Sequence, residues 1–483
     1  MTFEPIGLIT LVVGLLILRR GPDFGLIVMA SANLLGTAAA VKLPALGGAN
    51  ILVAHFLLPF YTLAISRSTW GTAGVLAVFF ANKAGFVLLC FAFFAVIGAV
   101  FLPRIFAGQI EVFSISRDSL VVASIVSSPL RFSAANLTQT VYMVGDFLLF
   151  ACVAAHVCNR GPQIIVTALM IAATVNVFLG VADAATYFLY LEDLLAPIRN
   201  ANYAIATEGG LIGGIRRTIG SFAESSVYGA ASLALFAVTL EFYIVGIRRP
   251  YLGLIAFASF LALIFSMSSS ALAGLVVYSA ILLVRGGFAL VAGQAHIRFL
   301  VLMIASVCVA LTLMLIVTTS TLLSTWSGNV VDHILFSKLE SQSGIERTLW
   351  NVAGFEAFWQ SGMLGAGTGS IRTSSYVVAI LANTGLIGFI LMLAFYVTLT
   401  RDAYLLRAMS LNGKIARGLF WAGVAAMLGP LVTGSTVGFG MRFAILAGGV
   451  VGLAAAGSAV VGQRTGWNRY NLPGLGQSNF ACR

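Results

Sequence analysis

Residues 137–157 read LTQTVYMVGDFLLFACVAAHV, a continuous apolar run broken only by Asp146 and a few small polar residues, and residues 296–320, HIRFLVLMIASVCVALTLMLIVTTS, repeat the pattern. An apolar run of about 20 residues is what a helix needs to cross the hydrocarbon layer of a bilayer. A membrane barrel would instead alternate polar and apolar residues over strands of about ten. These two stretches therefore set the fold class as all-α and polytopic.

The rest of the chain agrees with them. Of 483 residues 60% are hydrophobic and 9% charged, with mean hydropathy +1.01, more apolar surface than a water-soluble core could bury. Spans are expected near 3–18, 24–41, 48–66, 72–103, 137–157, 162–190, 223–245, 251–268, 269–286, 299–320, 375–399, 418–436 and 439–461. The stretch 72–103 is too long for one straight crossing and contains Lys83, so it reads as a broken helix or as a surface helix plus a span. The total is 12–14 transmembrane helices. Residues 1–461 form a single transmembrane domain, and 462–483 a polar cytoplasmic tail.

Lys and Arg in short loops are retained on the cytoplasmic side. Arg19, Arg20, Arg67, Lys83, Arg160, Arg248, Arg249, Arg285, Arg298, Arg401, Arg407, Lys414, Arg417, Arg464 and Arg469 all fall on one side of this arrangement. Three longer polar segments, 104–136, 191–222 and 321–374, fall on the other and form the working surface. The formal charge of +11 is scattered in ones and twos between spans, so it signals topology and not nucleic acid. The five cysteines imply no disulfide framework, and no His, Cys or carboxylate spacing suits a metal. The first apolar stretch has no basic residue before it and is followed at once by Arg19 and Arg20, which suits an uncleaved span with its N-terminus outside.

Two constellations carry chemistry. In IRRTIGSFAESSVYGAAS, Arg216, Arg217, Gly220, Ser221, Phe222, Glu224 and Ser225 stand where a span begins. A guanidinium keeps its charge in a partly dry place, and its planar fork of donors matches phosphate and diphosphate oxygens. The alternative is a pair of interfacial arginines reaching for headgroups, with Glu224 as a helix N-terminal acid. The second constellation, SKLESQSGIERTLWNVAGFEAFWQSGMLGAGTGSIRTSS, holds Glu346, Arg347, Trp350, Glu356, Trp359, Arg372 and Ser374, followed at once by Tyr376. Within it, residues 344–360 write as an amphipathic helix, and aromatic rings beside charged groups suit a sugar cleft. An interfacial helix anchored by tryptophans is the alternative. GAGTGS at 365–370 follows no strand and lacks dinucleotide-binding spacing, so it reads as a compact turn. SMSSSALAG at 266–274 reads as a tight re-entry turn, and His55 and His156 as packed residues.

The order and spacing of these pieces over residues 200–400 resemble the O-antigen polymerase and ligase family of bacterial membrane glycosyltransferases, the Wzy-type polymerases. The residues carrying the resemblance are Arg217, Gly220 and Phe222 entering a span, the serine turn, Arg347 and Trp350 in the large loop, the turn Gly365-Ala366-Gly367, and Leu381-Ala382-Asn383-Thr384-Gly385-Leu386-Ile387-Gly388. The serine turn lacks the arginine that this family often places there. Ser374 occupies the place where the family's ligases carry a histidine, which favours a polymerase of the exopolysaccharide or capsule type.

The resemblance implies a glycosyltransferase C-type architecture in the bacterial inner membrane with its active site facing the periplasm. It implies polymerisation of undecaprenyl-diphosphate-linked oligosaccharide repeat units without metal or cofactor. Arg217, Arg347 and Glu224 are then the expected catalytic residues, and Arg216, Arg372, Trp350, Trp359, Ser374 and Tyr376 the expected substrate-binding ones. The lipid bilayer, a chain-length regulator and export machinery are the expected partners. Glycan transfer to a lipid or protein acceptor is the alternative within the family, and transport of polysaccharide or lipid-linked oligosaccharide the alternative outside it.

Overall fold

A backbone in lipid has to satisfy its own hydrogen bonds, so continuous apolar runs coil into helices. The computed structural model describes residues 2–44, 49–68, 71–116, 124–201, 211–212, 215–293, 342–406 and 410–465. It opens with α1 (Pro5–Arg20) and α2 (Pro22–Ala32), each with proline in the first turn, where a missing amide leaves no bond unmade. β1 (Thr2–Phe3), β2 (Ala39–Leu43) and β3 (Ala49–Leu52) form an antiparallel sheet in that order. This corrects the expected spans 24–41 and 48–66, each of which is part helix and part strand. Ala38 to Val41 are fully buried, and a buried strand is as apolar as a buried helix, so hydropathy alone does not separate them.

α3 (Val53–Ser66), α4 (Gly71–Ala81) and α5 (Lys83–Ile105) follow. The overlong stretch 72–103 breaks at Asn82, whose side chain accepts from the Gly85 amide at 3.0 Å and donates to Asp402 at 3.0 Å. A hairpin, β4 (Glu111–Ser116) with β5 (Ser124–Pro129), leads into α6 (Ala134–Arg160) and α7 (Pro162–Phe188). A 3-10 turn (Glu192–Ile198) and the short pair β6 (Leu211–Ile212) and β7 (Ile215–Arg216) precede α8 (Ser225–Val245), α9 (Leu252–Phe265) and α10 (Ser269–Val291). The chain then runs through α11 (Gln342–Gln360), α12 (Tyr376–Leu405), α13 (Leu411–Thr433) and α14 (Gly440–Thr465).

Among the described residues eight helices are long and apolar enough to cross a membrane, or up to nine if the bent pair α3 and α4 counts as one span. The expected 12–14 includes helices too short for this count, α1 with 16 residues, α2 with 11 and α9 with 14. The expected span 299–320 and nearly all of the tail lie outside the described residues.

α6 and α14 pack closest. A Cβ at Gly448 would stand 2.6 Å from the Phe150 carbonyl oxygen, and one at Gly452 2.5 Å from that of Ala154, so backbone meets backbone through small residues. At one end of the bundle the helix ends are tied by Asp23 to His156 (2.8 Å), His156 to Tyr61 (2.9 Å) and Arg160 to Asp23 (3.2 Å). The three small sheets, the loop before α8 and the helix α11 gather at the other, loop-rich end.

Candidate functional site

The loop Arg216–Glu224 is held down into the loop-rich end by buried polar groups. Asp183, near the end of α7 and 1% exposed, accepts the amides of Ile219 at 2.8 Å and Gly220 at 3.1 Å through Oδ2. Its Oδ1 pairs with Arg199 Nη2 at 2.5 Å, and Arg199 Nε donates to the Gly220 carbonyl at 3.0 Å. Gly220 sits at φ 55° with the Tyr228 ring behind it, a backbone that a side chain would strain. Thr37 donates its amide (3.1 Å) and hydroxyl (2.9 Å) to the Ser221 carbonyl, and Ser221 donates its hydroxyl to the Leu34 carbonyl. Because α2 stops after 11 residues, these bonds draw the loop inward, and Phe222 ends 3% exposed against Gly36.

This clamp presents Arg217. Its Nε is buried with no hydrogen-bond partner. Burial pushes the Arg217 guanidinium below the usual arginine range; Glu224 opposes that shift and Arg347 adds to it. The structure thus brings Arg217, Glu224 and Arg347 within electrostatic reach, although Arg347 comes from α11, far along the chain. No ion pair among the described residues involves Arg217, and Glu224 is the carboxylate that opposes its shift. Glu224 stands at the N-cap position of α8, yet its side chain does not cap the helix and instead accepts the Ser226 hydroxyl.

Arg216 turns the other way. Its Cζ lies 4.0 Å over the Tyr187 ring, and its Nη2 is 3.5 Å from Asp183 and 3.4 Å from Glu192. On α11, Trp350 meets Arg372, whose Cζ is 4.5 Å from the ring centre, and Asn351 Oδ1 accepts the Ser374 amide at 2.8 Å. Arg347, Trp350 and Arg372 therefore share one region. Ser374 (3% exposed) and Tyr376 (3%) are buried, with the Tyr396 hydroxyl 3.3 Å from that of Tyr376. Trp359 is 52% exposed and packs with Phe355 and Phe358, about 13 Å further along the helix at 1.5 Å per residue.

The two glycine motifs are one structure. Ala366 and Gly367 donate their amides to the carbonyls of Ala382 (2.8 Å) and Asn383 (2.9 Å), and Asn383 Oδ1 accepts the Ser370 and Ile371 amides, each at 3.1 Å. Asn136 of α6 fixes the same turn through Thr368 O (2.9 Å) and Ser370 Oγ (2.8 Å). The turn is packed against helices, and its job is to carry residues 371–376 to α11. The serine turn is likewise structural: Ser268 Oγ accepts the Ala271 amide at the start of α10.

Sequence reasoning missed Asp183 and Arg199. Asp183 had a signal, since an acid inside an apolar run is costly unless it has a partner. Among the described residues no group of three or more His, Cys, Asp and Glu is arranged to hold a metal. The chain matches no protein-family model, and no curated protein matches it.

Proposed function

We propose that the chain is a membrane glycosyltransferase of glycosyltransferase C-type architecture that polymerises oligosaccharide repeat units carried on undecaprenyl diphosphate, at the periplasmic face of a bacterial inner membrane. The observation that supports this reading is the electrostatic opposition of Arg347 to the buried Arg217 guanidinium, whose Nε has no hydrogen-bond partner: two guanidiniums that repel each other favour an anion beside them. A leaving diphosphate is such an anion, and arginine forks match its oxygens.

In this reaction the bond from the anomeric carbon to the diphosphate oxygen breaks, and its electron pair leaves with the diphosphate. An acceptor hydroxyl forms the new glycosidic bond and gives its proton to the Glu224 carboxylate. Arg217 and Arg347 neutralise the charge that grows on the departing oxygen, which lowers the barrier only if they are already in place. Trp350 and Arg372 form a stacked face beside them for a sugar ring. The test is direct. Purified protein incubated with lipid-linked repeat units should give a ladder of longer lipid-linked products and free undecaprenyl diphosphate; unchanged starting material from folded protein contradicts the reading.

A further inference from the structure

A second cluster of charge lies at the far end of the bundle. Glu241 is 16 residues along α8 from its first residue, Ser225, about 24 Å at 1.5 Å per residue, so it stands well away from the Arg217 loop. Its carboxylate is buried and fully engaged: Arg285 of α10 holds it with both terminal nitrogens, and the Tyr278 hydroxyl donates to it at 3.1 Å. A Cβ at Gly418 of α13 would lie 3.2 Å from Glu241 Cβ, so α13 packs directly on this pair. Arg285 Cζ is 4.6 Å from the centre of the Trp421 ring, and Trp421 Nε1 donates to the Tyr404 hydroxyl at 3.1 Å. Arg417 Cζ is in turn 5.7 Å from the centre of the Tyr404 ring. The end of α12 and the first turns of α13 thus set two arginines on two linked aromatic rings.

Of these groups Arg417 alone has no bond in return. Among the described residues it makes no hydrogen bond or ion pair, and its Nη2 is shut off from solvent without a partner. The residue as a whole is half-buried, so the guanidinium fork keeps an open edge. Lys414 lies one turn before Arg417 and Trp421 one turn after, on the same face of α13. Asp402, near the end of α12, is occupied by Asn82. A partly dry cation without a counterion is costly, and what this face lacks is an oxyanion. The groups open on the surface, with Tyr404 49% exposed, so no enclosed cavity limits what meets them. Leu405 and Leu411, both exposed, flank them with the kind of apolar surface that lipid tails cover. Tryptophan and tyrosine rings sit at headgroup depth, and basic recesses between transmembrane helices take anionic headgroups.

We propose that Arg417 and Lys414, backed by the stack of Arg285 on Trp421, bind the phosphodiester headgroup of an anionic phospholipid. The phosphate supplies the acceptor that the Arg417 fork lacks, and the flanking apolar surface takes the acyl chains. The site stands apart from glycosyl transfer at the loop-rich end and holds whether or not that reading does.

The experiment titrates the full chain in detergent with cardiolipin, phosphatidylglycerol and phosphatidylcholine, and separately with inorganic phosphate, and follows bound molecules by native mass spectrometry. Wild type should bind the two anionic lipids about 10-fold more tightly than phosphatidylcholine, the share of two cations near a headgroup. Arg417→Gln should bind them about 10- to 100-fold more weakly, the loss of a charge-assisted contact. Arg248→Gln, which removes an exposed cation between α8 and α9, should bind as wild type does and so separates this site from net charge. Melting in lipid-free detergent separates binding from scaffolding. Arg417 has no partner to lose, so Arg417→Gln should melt with wild type, and added cardiolipin should raise the melting temperature of wild type more than that of the variant. Unaltered lipid affinity in Arg417→Gln, an equal loss in Arg248→Gln, no preference over phosphatidylcholine, or a clear drop in the lipid-free melting temperature of Arg417→Gln overturns the proposal. So does inorganic phosphate bound as tightly as the lipids, which would make this a site for a soluble anion.

Discussion

Asp183 grips Gly220: its Oδ2 accepts the Gly220 amide at 3.1 Å while its Oδ1 pairs with Arg199 at 2.5 Å, both side chains nearly free of solvent at 1% and 6%. Removing one partner of a buried pair strands the other, at about 3–5 kcal/mol. Asp183→Ala should therefore lower stability on that scale and release the loop that carries Arg217. Thermal unfolding of purified protein, with donor binding alongside, checks this; wild-type stability would mean that the loop is held elsewhere.

Arg217→Lys should damage polymerisation far more than Arg248→Lys, because a planar fork is lost in the first and only topology charge is altered in the second. The remaining activity should also depend on pH. Burial and the neighbouring Arg347 disfavour a cation at this place, with Glu224 opposing. A lysine there should titrate below its usual value and lose its charge as pH rises, so the Arg217→Lys rate should fall at alkaline pH while wild type holds. Parallel pH profiles would remove the electrostatic argument.

Glu224→Gln keeps shape and removes the carboxylate. As general base Glu224 should be worth about 10²- to 10⁴-fold in turnover, with donor binding retained. An acid limb in the wild-type rate profile that disappears in Glu224→Gln is the expected signature. An unchanged rate at every pH passes attention to Glu356.

Gly385 has φ 64°, and a Cβ there would lie 2.2 Å from the Met363 carbonyl oxygen. Gly385→Ala should separate the two glycine motifs and detach residues 371–376 from α11, with loss of the Trp350–Arg372 stack. Tryptophan fluorescence and activity should change together, whereas Gly287→Ala, at an open position, should leave both intact.

The sequence was legible where one residue type does one job. Arg217 and Glu224 stand out because charges are rare at the starts of apolar runs, Arg347 because it sits in the long polar segment 321–374, and the amphipathic writing of 344–360 anticipates α11 at 342–360. Their approach to one another was not legible, since it depends on how α8 and α11 pack. Ala38 to Val41 look like the end of a span because apolar content does not distinguish a buried strand from a helix.

The central claim is that Arg217 and Arg347 act on one anion. A double-mutant cycle on the initial rate of undecaprenyl diphosphate release, using Arg217→Gln, Arg347→Gln and the pair in equally folded protein, tests it most directly. If both guanidiniums neutralise the same diphosphate, the pair should be little worse than the more damaging single change. Losses that multiply, so that each arginine contributes the same factor with or without the other, would place them at independent sites and contradict the account.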